Sequence, residues 1–458
     1  MKSHITYGIR IAVIAVVVGL CPLLAFAQQP STQAPKPPAI PGVSSPSPLP
    51  TPATTGIQTE TQDVVYGLQG VLVETLDGQT VAVQSPDDAF NPASAIKLAT
   101  ALVALRTLGP QHRFTTGLWT TGTFDKKTGI LHGDLYISGR DPSLHYEHAV
   151  MMSRHLNNLG IRTVMGNLIV APGFTMNFNW SARRSGQQFY DTLDSALRSQ
   201  EASRAWWYER SALGDKESLA TVPSVVILGE VQVNAVAPGA KHVLSHKSST
   251  LVDILKVLLC YSNNFMAERL GDSLGGTESV TRELSTLLGL TPAEFTISTL
   301  SGLGTNRVTP RAMMKIFKAL RQELRKSKLS TTDIMPVAGI DPGTLQDRYT
   351  AEPWRGSVIA KTGTLIRTDG GASSLVGQMK TANGETLLFV IMNQRGNVLK
   401  FRENQDFLVM QIQNSRGGPK AFEYKPHLLA MKLANTVSDV GPSSEQFEPM
   451  VKTSTTSP

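Results

Sequence analysis

Three short groups of residues could carry chemistry in this chain, and the first is Ser94-Ala95-Ile96-Lys97. Residues three apart on a helix share a face, so the Lys97 amine can reach the Ser94 hydroxyl. A serine becomes a strong nucleophile when a neighbouring base takes its proton. Lysine can do that only as the neutral amine, a form favoured by burial and by a second cation nearby. At a helix N-terminus, Ser94 would also place backbone amide donors and the positive end of the helix dipole beside a developing oxyanion. Ser-x-x-Lys alone is a weak signal, expected by chance about once or twice in a chain of this length; here it occurs once, at the start of an Ala- and Leu-rich helical pattern.

The second group is Ser262-Asn263-Asn264, which follows the apolar run Leu258-Leu259-Cys260-Tyr261. Serine and asparagine compete with the backbone for hydrogen bonds, so a helix should break or turn here and direct polar side chains toward a cleft. A plain surface turn is the alternative. The third is Lys361-Thr362-Gly363-Thr364, at the end of a strand-like run. A lysine and a hydroxyl beside glycine on an edge strand let a peptide lie along that strand while the cation receives its carboxylate. The same tripeptide recurs as Lys127-Thr128-Gly129, but that copy follows Asp125-Lys126 between two strand-like segments and reads as a hairpin turn.

Apolar periodicity shows the elements that must hold these groups. Two runs at 70–76 and 80–83, joined through Asp77-Gly78, predict a β-hairpin. The pattern from Asn91 to Leu105, closed by Gly109, predicts a buried helix beginning near Ser94. Hairpin-like pieces at 114–119, 130–137 and 164–170, interrupted by a helix over 147–159, form a block from 112 to 235. Long helices follow at 250–274 and 309–328, then strands at 356–364, 373–380 and 386–393 with the second in the middle, and a helix over 403–412.

The 458 residues are enough for two or three domains. Forty-three basic against 36 acidic side chains leave a surplus of +7 without basic runs, so nucleic-acid binding is not suggested. Lys2 and Arg10 precede an uncharged stretch from Ile11 to Phe26 ending in Ala25-Phe26-Ala27, the pattern of a secretory signal cut after Ala27. A retained membrane anchor is the other reading, although the stretch is shorter than the ~20 apolar residues that span a bilayer. Cleavage would take the surplus from +7 to +5 and leave Cys260 as the one remaining cysteine, hence no internal disulfide. Nine of the 27 prolines fall within residues 28–58, a composition that makes a spacer. The expected organisation is a signal at 1–27, a disordered linker at 28–58, a catalytic domain over 60–111 and 236–435, an inserted subdomain at 112–235, and a disordered tail at 436–458.

Ser-x-x-Lys, Ser-x-Asn and Lys-Thr-Gly in that order form the set found in penicillin-binding proteins and serine β-lactamases. Four further stretches strengthen the likeness: Phe90 to Leu98, Gly139-Arg140-Asp141-Pro142-Ser143-Leu144, Arg307-Val308-Thr309-Pro310, and Ala338 to Leu345. Over residues 60 to 415 the chain resembles the D-alanyl-D-alanine carboxypeptidase/endopeptidase family, the class C low-molecular-mass penicillin-binding proteins. The resemblance implies an α+β, multi-domain fold: a β-lactamase/transpeptidase-like domain of helices on an antiparallel sheet, with a β-rich insertion between the first two motifs. It further implies that Ser94 is acylated and Lys97 activates it, that Ser262 relays a proton to the leaving group, and that Asn264 holds the substrate's amide. Lys361 and Thr362, beside Gly363, would engage a terminal carboxylate, and the amides of Ser94 and Thr364 would form the oxyanion hole.

The implied partners are peptidoglycan stem peptides and β-lactams, in the periplasm or another extracytoplasmic space; no cofactor or metal is implied, and peripheral membrane contact is not indicated. The alternatives are a serine β-lactamase, which would need a deacylation base that no acidic loop between the first two motifs supplies, and a non-catalytic wall-binding or β-lactam-sensing protein. Two departures stand out. The first two motifs lie close together for an insertion of this kind, and Thr299-Leu300 precede Ser301-Gly302-Leu303 where an Asp-Gly or Asn-Gly pair is expected, which bears on substrate fit. His145, His148 and His155 lack an acidic partner at metal-ligand spacing. Trp206-Trp207-Tyr208 could stack on glycan but read more simply as covering a core or domain junction. Cys260, Met313 and Met314 read as core.

Overall fold

The computed structural model describes residues 67–440. The signal, the linker and the last 18 residues of the expected tail lie outside the described residues. At the centre is a five-stranded antiparallel sheet whose order across is Val358–Leu365, Ala372–Lys380, Thr386–Gln394, Leu68–Thr75 and Thr80–Gln84. The expected hairpin is its far edge, and 372–380 is the middle of the three late strands. Strand side chains alternate between faces, and here both faces are covered. Leu72, Leu388, Val390 and Met392 pack toward the helices Lys97–Leu108, Leu251–Tyr261 and Pro310–Lys326. Val71, Val73, Phe389 and Ile391 pack toward Val398–Ser415, the helix expected at 403–412, which is longer by several residues at its N-terminal end. Burial on both sides is why Leu387 to Met392 is apolar without a break.

The apolar stretch 250–274 is two helices, Leu251–Tyr261 and Asn264–Ser273, parted at Ser262. Ser262 has φ of +56°, and the Asn263 side chain caps the second helix by accepting from the Met266 amide at 3.0 Å. The serine and asparagines thus do what their propensities favour: they end one helix and start another.

The β-rich insertion has its own apolar cluster, built on Leu118, Ile137, Val170 and Phe189. Its six-stranded sheet runs Val231–Val233, Leu168–Val170, Leu135–Gly139, Thr115–Thr120, Lys241–Lys247 and Val437–Val440; a four-stranded sheet runs Thr123–Asp125, Ile130–His132, Thr163–Val164 and Val226–Ile227. Several features differ from the sequence reading. The segments 130–137 and 164–170 each divide between the two sheets, at Gly133 and Gly166, where a Cβ on Gly166 would lie 2.6 Å from the Gly133 backbone. Strands 163–164 and 168–170 make parallel pairings, not hairpins. The insertion also carries the helices Ala182–Leu193 and Gln200–Ala212, which the sequence did not mark; the first buries only a narrow stripe, with Ser185, Phe189 and Leu193 one turn apart. Strand Lys241–Lys247, placed in the catalytic domain by the boundary at 235, belongs to this sheet. The tail expected to be disordered from 436 begins instead with a strand, Val437–Val440, whose backbone completes the ladder beside Lys241–Lys247. Short polar strands leave no apolar signature, because their hydrogen bonds come from the backbone.

Candidate active site

Ser94 sits in the 3-10 turn Ala93–Ile96, which runs directly into the helix Lys97–Leu108. Ala93 has φ of +46°, a conformation costly for a residue with a Cβ. Asn91 holds it there. Its Oδ1 accepts from the Ala93 amide at 3.0 Å, while its Nδ2 donates to Asp369 Oδ2 at 2.8 Å and to the Gly304 carbonyl at 2.9 Å. Arg307 anchors Asp369 in turn, at 2.7 Å. The turn is also pressed by residues 301–303: Gly302 has φ of +90°, and a Cβ there would fall 2.0 Å from the Ala93 carbonyl oxygen. Thr299 and Leu300, the departure noted above, serve this segment. Thr299 Oγ1 donates to the Leu303 carbonyl at 2.7 Å, and the Leu300 carbonyl accepts from Thr100 at 2.8 Å.

The structure brings all three motifs to one cleft of about 640 Å³, lined by Ser94, Ser262, Asn264, Thr362 and Thr364. Lys97 is fully buried. Its Nζ donates to Asn264 Oδ1 at 2.7 Å and to the Ser301 carbonyl, and lies 2.9 Å from Ser94 Oγ. A neutral amine has two N–H bonds and one lone pair. In that neutral form, two bonds directed at Asn264 and Ser301 would leave the lone pair for the Ser94 hydroxyl. Burial brings the Lys97 amine down to about 7, with Glu268 opposing the shift.

Lys361 is also fully buried; its Nζ donates to Ser262 Oγ at 2.8 Å and to the Thr362 carbonyl at 2.7 Å. Burial, reinforced by the Lys97 charge, holds its amine well below the ordinary lysine range. The strand Val358–Leu365 is an edge of the central sheet. Ala360 donates outward to the Pro336 carbonyl at 3.3 Å. By the two-residue alternation of an antiparallel ladder, the amides of Thr362 and Thr364 face the same outer side. Gly363 fits against the turn that carries Ser94, since a Cβ there would lie 2.5 Å from the Pro92 carbonyl oxygen. Ser374, from the next strand, donates to that same carbonyl at 2.6 Å.

Several neighbours were not read from the sequence as parts of a site. Arg402 donates to Thr364 Oγ1 at 2.7 Å and lines the cleft with Arg348, Glu403 and Asp406. The segment 336–345 crosses the end of Leu251–Tyr261, the Thr344 amide donating to the Cys260 carbonyl at 2.9 Å. Asp341 braces it from below, paired with Lys256 at 2.7 Å and accepting from Tyr424 at 2.6 Å. Asn91, Arg307 and Asp341 lie in the stretches that carried the family resemblance, but their spacing gives no hint of a brace. Ser301 lies in the Ser-Gly-Leu stretch noted above, though nothing there pointed to its carbonyl, and Glu268 had no signal at all.

Elsewhere, Lys127-Thr128-Gly129 is a turn in which Asp125 accepts from the Lys127 amide at 2.9 Å and the Thr128 hydroxyl at 2.8 Å. The fold supplies the acidic neighbours that spacing did not: Glu147, His148 and Glu209 have ligand-type atoms within 4.8 Å of one another. Both His148 nitrogens are engaged, however, by the His145 amide at 3.0 Å and the Leu433 carbonyl at 3.2 Å. Trp206 is buried, whereas Trp207 and Tyr208 are exposed. Cys260, Met313 and Met314 are core.

This architecture is shared with solved structures. A penicillin G-acylated predatory endopeptidase from Bdellovibrio bacteriovorus, in complex with an immunity protein, superposes with a TM-score of 0.69 at 23% identity, covering 82% of this chain and 100% of that one. Penicillin-binding protein 4 from Haemophilus influenzae, complexed with a β-lactam, gives 0.54 at 22% identity over 75% of this chain and 96% of its own. In sequence, a carboxypeptidase from Mycobacterium tuberculosis is 25% identical over 364 residues, 72% of this chain and 77% of that protein. The model of the D-Ala-D-Ala carboxypeptidase 3 (S13) family matches residues 58–221 and 216–410, a span that includes every residue lining the cleft. The chain therefore belongs to that family and is a serine-type D-Ala-D-Ala peptidase.

Proposed function

We propose that the enzyme cleaves the D-Ala-D-Ala bond of peptidoglycan stem peptides, and D-alanyl crosslinks, through an acyl-enzyme on Ser94. The observation that carries this reading is the Lys97 amine, 2.9 Å from Ser94 Oγ, with its two N–H bonds directed at Asn264 and Ser301. Lys97 takes the Ser94 proton as Oγ attacks the carbonyl of the penultimate D-alanine. The amides of Ser94 and Thr364 stabilise the tetrahedral oxyanion. Ser262 accepts from Lys361, which leaves its own O–H free to donate to the departing nitrogen. Asn264 accepts from Lys97 through Oδ1, which leaves Nδ2 for the substrate's amide carbonyl. Thr362 and Lys361 receive the carboxylate of the leaving residue. That carboxylate favours the protonated form of Lys361, and a cation there disfavours a second charge on Lys97. Substrate binding thus pushes the base toward its active form. Water then hydrolyses the ester and frees Ser94.

A β-lactam presents the same carbonyl and carboxylate, and its acyl group would remain on Ser94. Peptidoglycan lies outside the cytoplasmic membrane, in keeping with a signal cut after Ala27 and export. Among the described residues no helix is long and apolar enough to cross a membrane. The proposed catalytic domain comprises the central sheet and its helices, with the insertion set between the first two motifs.

The test is to incubate the purified protein, and Ser94→Ala, with a D-Ala-D-Ala pentapeptide and with a crosslinked muropeptide dimer. Release of D-alanine and conversion of dimer to monomer by wild type only is the expected result. Turnover of penicillin without peptide cleavage would favour the β-lactamase reading, and no reaction with any substrate would overturn both.

A further inference from the structure

The Ser301 carbonyl is one of the two acceptors that orient the Lys97 amine, and a backbone carbonyl is only as well placed as the segment that carries it. Residues 300–303 form an irregular turn. One side of it is held by Thr100, from the nucleophile helix. The other is held by Glu268, one helical turn beyond Asn264 on the same face of Asn264–Ser273. Glu268 Oε1 accepts from the Ser301 amide at 2.8 Å, and Oε2 lies 3.4 Å from the Leu300 amide. Asn264 and Glu268 thus project from a single helix, the first to an N–H of Lys97 and the second to the peptide that supplies its other acceptor. Among the described residues, two charged groups face the Lys97 amine: Glu268 from this helix and Lys361 from the strand Val358–Leu365. The nucleophile turn and the 300–303 turn present a hydroxyl and a carbonyl.

We infer that Glu268 is a positioning residue for the acylation step, holding the Ser301 carbonyl on Lys97 and placing a carboxylate on the helix that also presents Asn264 to that amine. The inference rests on the assignment of Lys97 as the base. The carboxylate's charge opposes the effect of burial: Glu268 stabilises the ammonium, so removing the charge must lower the pKa of Lys97 further.

The test is the rate of Ser94 acylation by a penicillin, followed from pH 5 to 9 in wild type, Glu268→Gln, Glu268→Ala and Glu268→Asp, with each fold checked by circular dichroism and melting. Glu268→Gln keeps an acceptor for the Ser301 amide without the charge. Its acid limb is expected ~0.5 to 1 pH unit lower than that of wild type, with the high-pH plateau within about threefold. Glu268→Ala loses charge and acceptor, so the limb moves as far and the plateau falls roughly tenfold; it also serves if the glutamine variant does not fold. Glu268→Asp keeps the charge, so the limb stays and the plateau falls. Acid limbs that coincide for wild type and the folded neutral variants, with or without a lower plateau, would overturn the inference, because a merely structural role changes the plateau and leaves the limb in place. A wild type that is not acylated at all would instead overturn the assignment of Ser94 and Lys97.

Discussion

Lys97 and Lys361 are two buried amines opening onto one cleft, and neither has a carboxylate hydrogen-bonded to its Nζ among the described residues. Taking an ammonium out of water is expensive unless it is paired, so the fold lowers both. For Lys97 the direction suits the chemistry. A base whose pKa is brought down to about 7 is protonated and inactive below that pH and competent above it. Acylation by a β-lactam is accordingly expected to rise with pH through about 7, and a stopped-flow pH profile reads the midpoint. Lys97→Ala should lower the acylation rate by about 10²- to 10⁴-fold, the usual contribution of a general base, without loss of the folded melting transition. A profile flat from pH 5 to 9 would remove Lys97 from that role. Ser94 and Lys97 were legible because the i to i+3 relation is local. The Ser301 carbonyl and Glu268 were not, because a backbone acceptor has no side-chain type to notice and Glu268 meets its partner 33 residues further along the chain.

The elements act as clamps on short irregular segments: the turn Ala93–Ile96, the break at Ser262, and residues 300–303 and 336–345. The break at Ser262 was legible from local propensity, since serine and two asparagines interrupt an otherwise apolar helix. The brace beneath it was not. Asp341 and Lys256 are 85 residues apart and pair in the core, with side chains 0% and 2% exposed. Lys256 adds donors to the Thr332 and Met335 carbonyls at 2.9 and 2.7 Å, so its cation is fully used. Removing one partner of such a pair leaves an uncompensated buried charge, which typically costs about 3–5 kcal/mol. Asp341→Ala is expected to lower the unfolding free energy measured by urea titration by an amount in that range, seen as a lower midpoint, and to loosen residues 336–345 where they cross the end of Leu251–Tyr261. An unchanged midpoint would show that the pair contributes nothing net. The insertion was the least legible part. Its strands are two to seven residues long, several pair in parallel, and the helix Ala182–Leu193 buries only two large apolar side chains, Phe189 and Leu193. Periodicity needs longer runs to show itself.

At the scale of the whole molecule, the chain leaves the central sheet after the helix Lys97–Leu108, builds the insertion, and returns through Lys241–Lys247 to the helix that ends at Ser262. The first two motifs are therefore distant in sequence and adjacent in space. The order of the motifs was enough to place the sheet, its flanking helices and the cleft, because those elements are long and doubly buried. The strand Val437–Val440, which ties the end of the described chain back to the insertion, was read as the start of a tail because four residues of mixed polarity carry no pattern. Every part of this arrangement converges on one atom, Ser94 Oγ, and mass spectrometry of the intact protein after brief exposure to penicillin G interrogates it directly. A single stable acyl adduct is expected, mapped by peptide digestion to Ser94 and absent from Ser94→Ala. An unmodified wild type, or an adduct on any other residue, would contradict it.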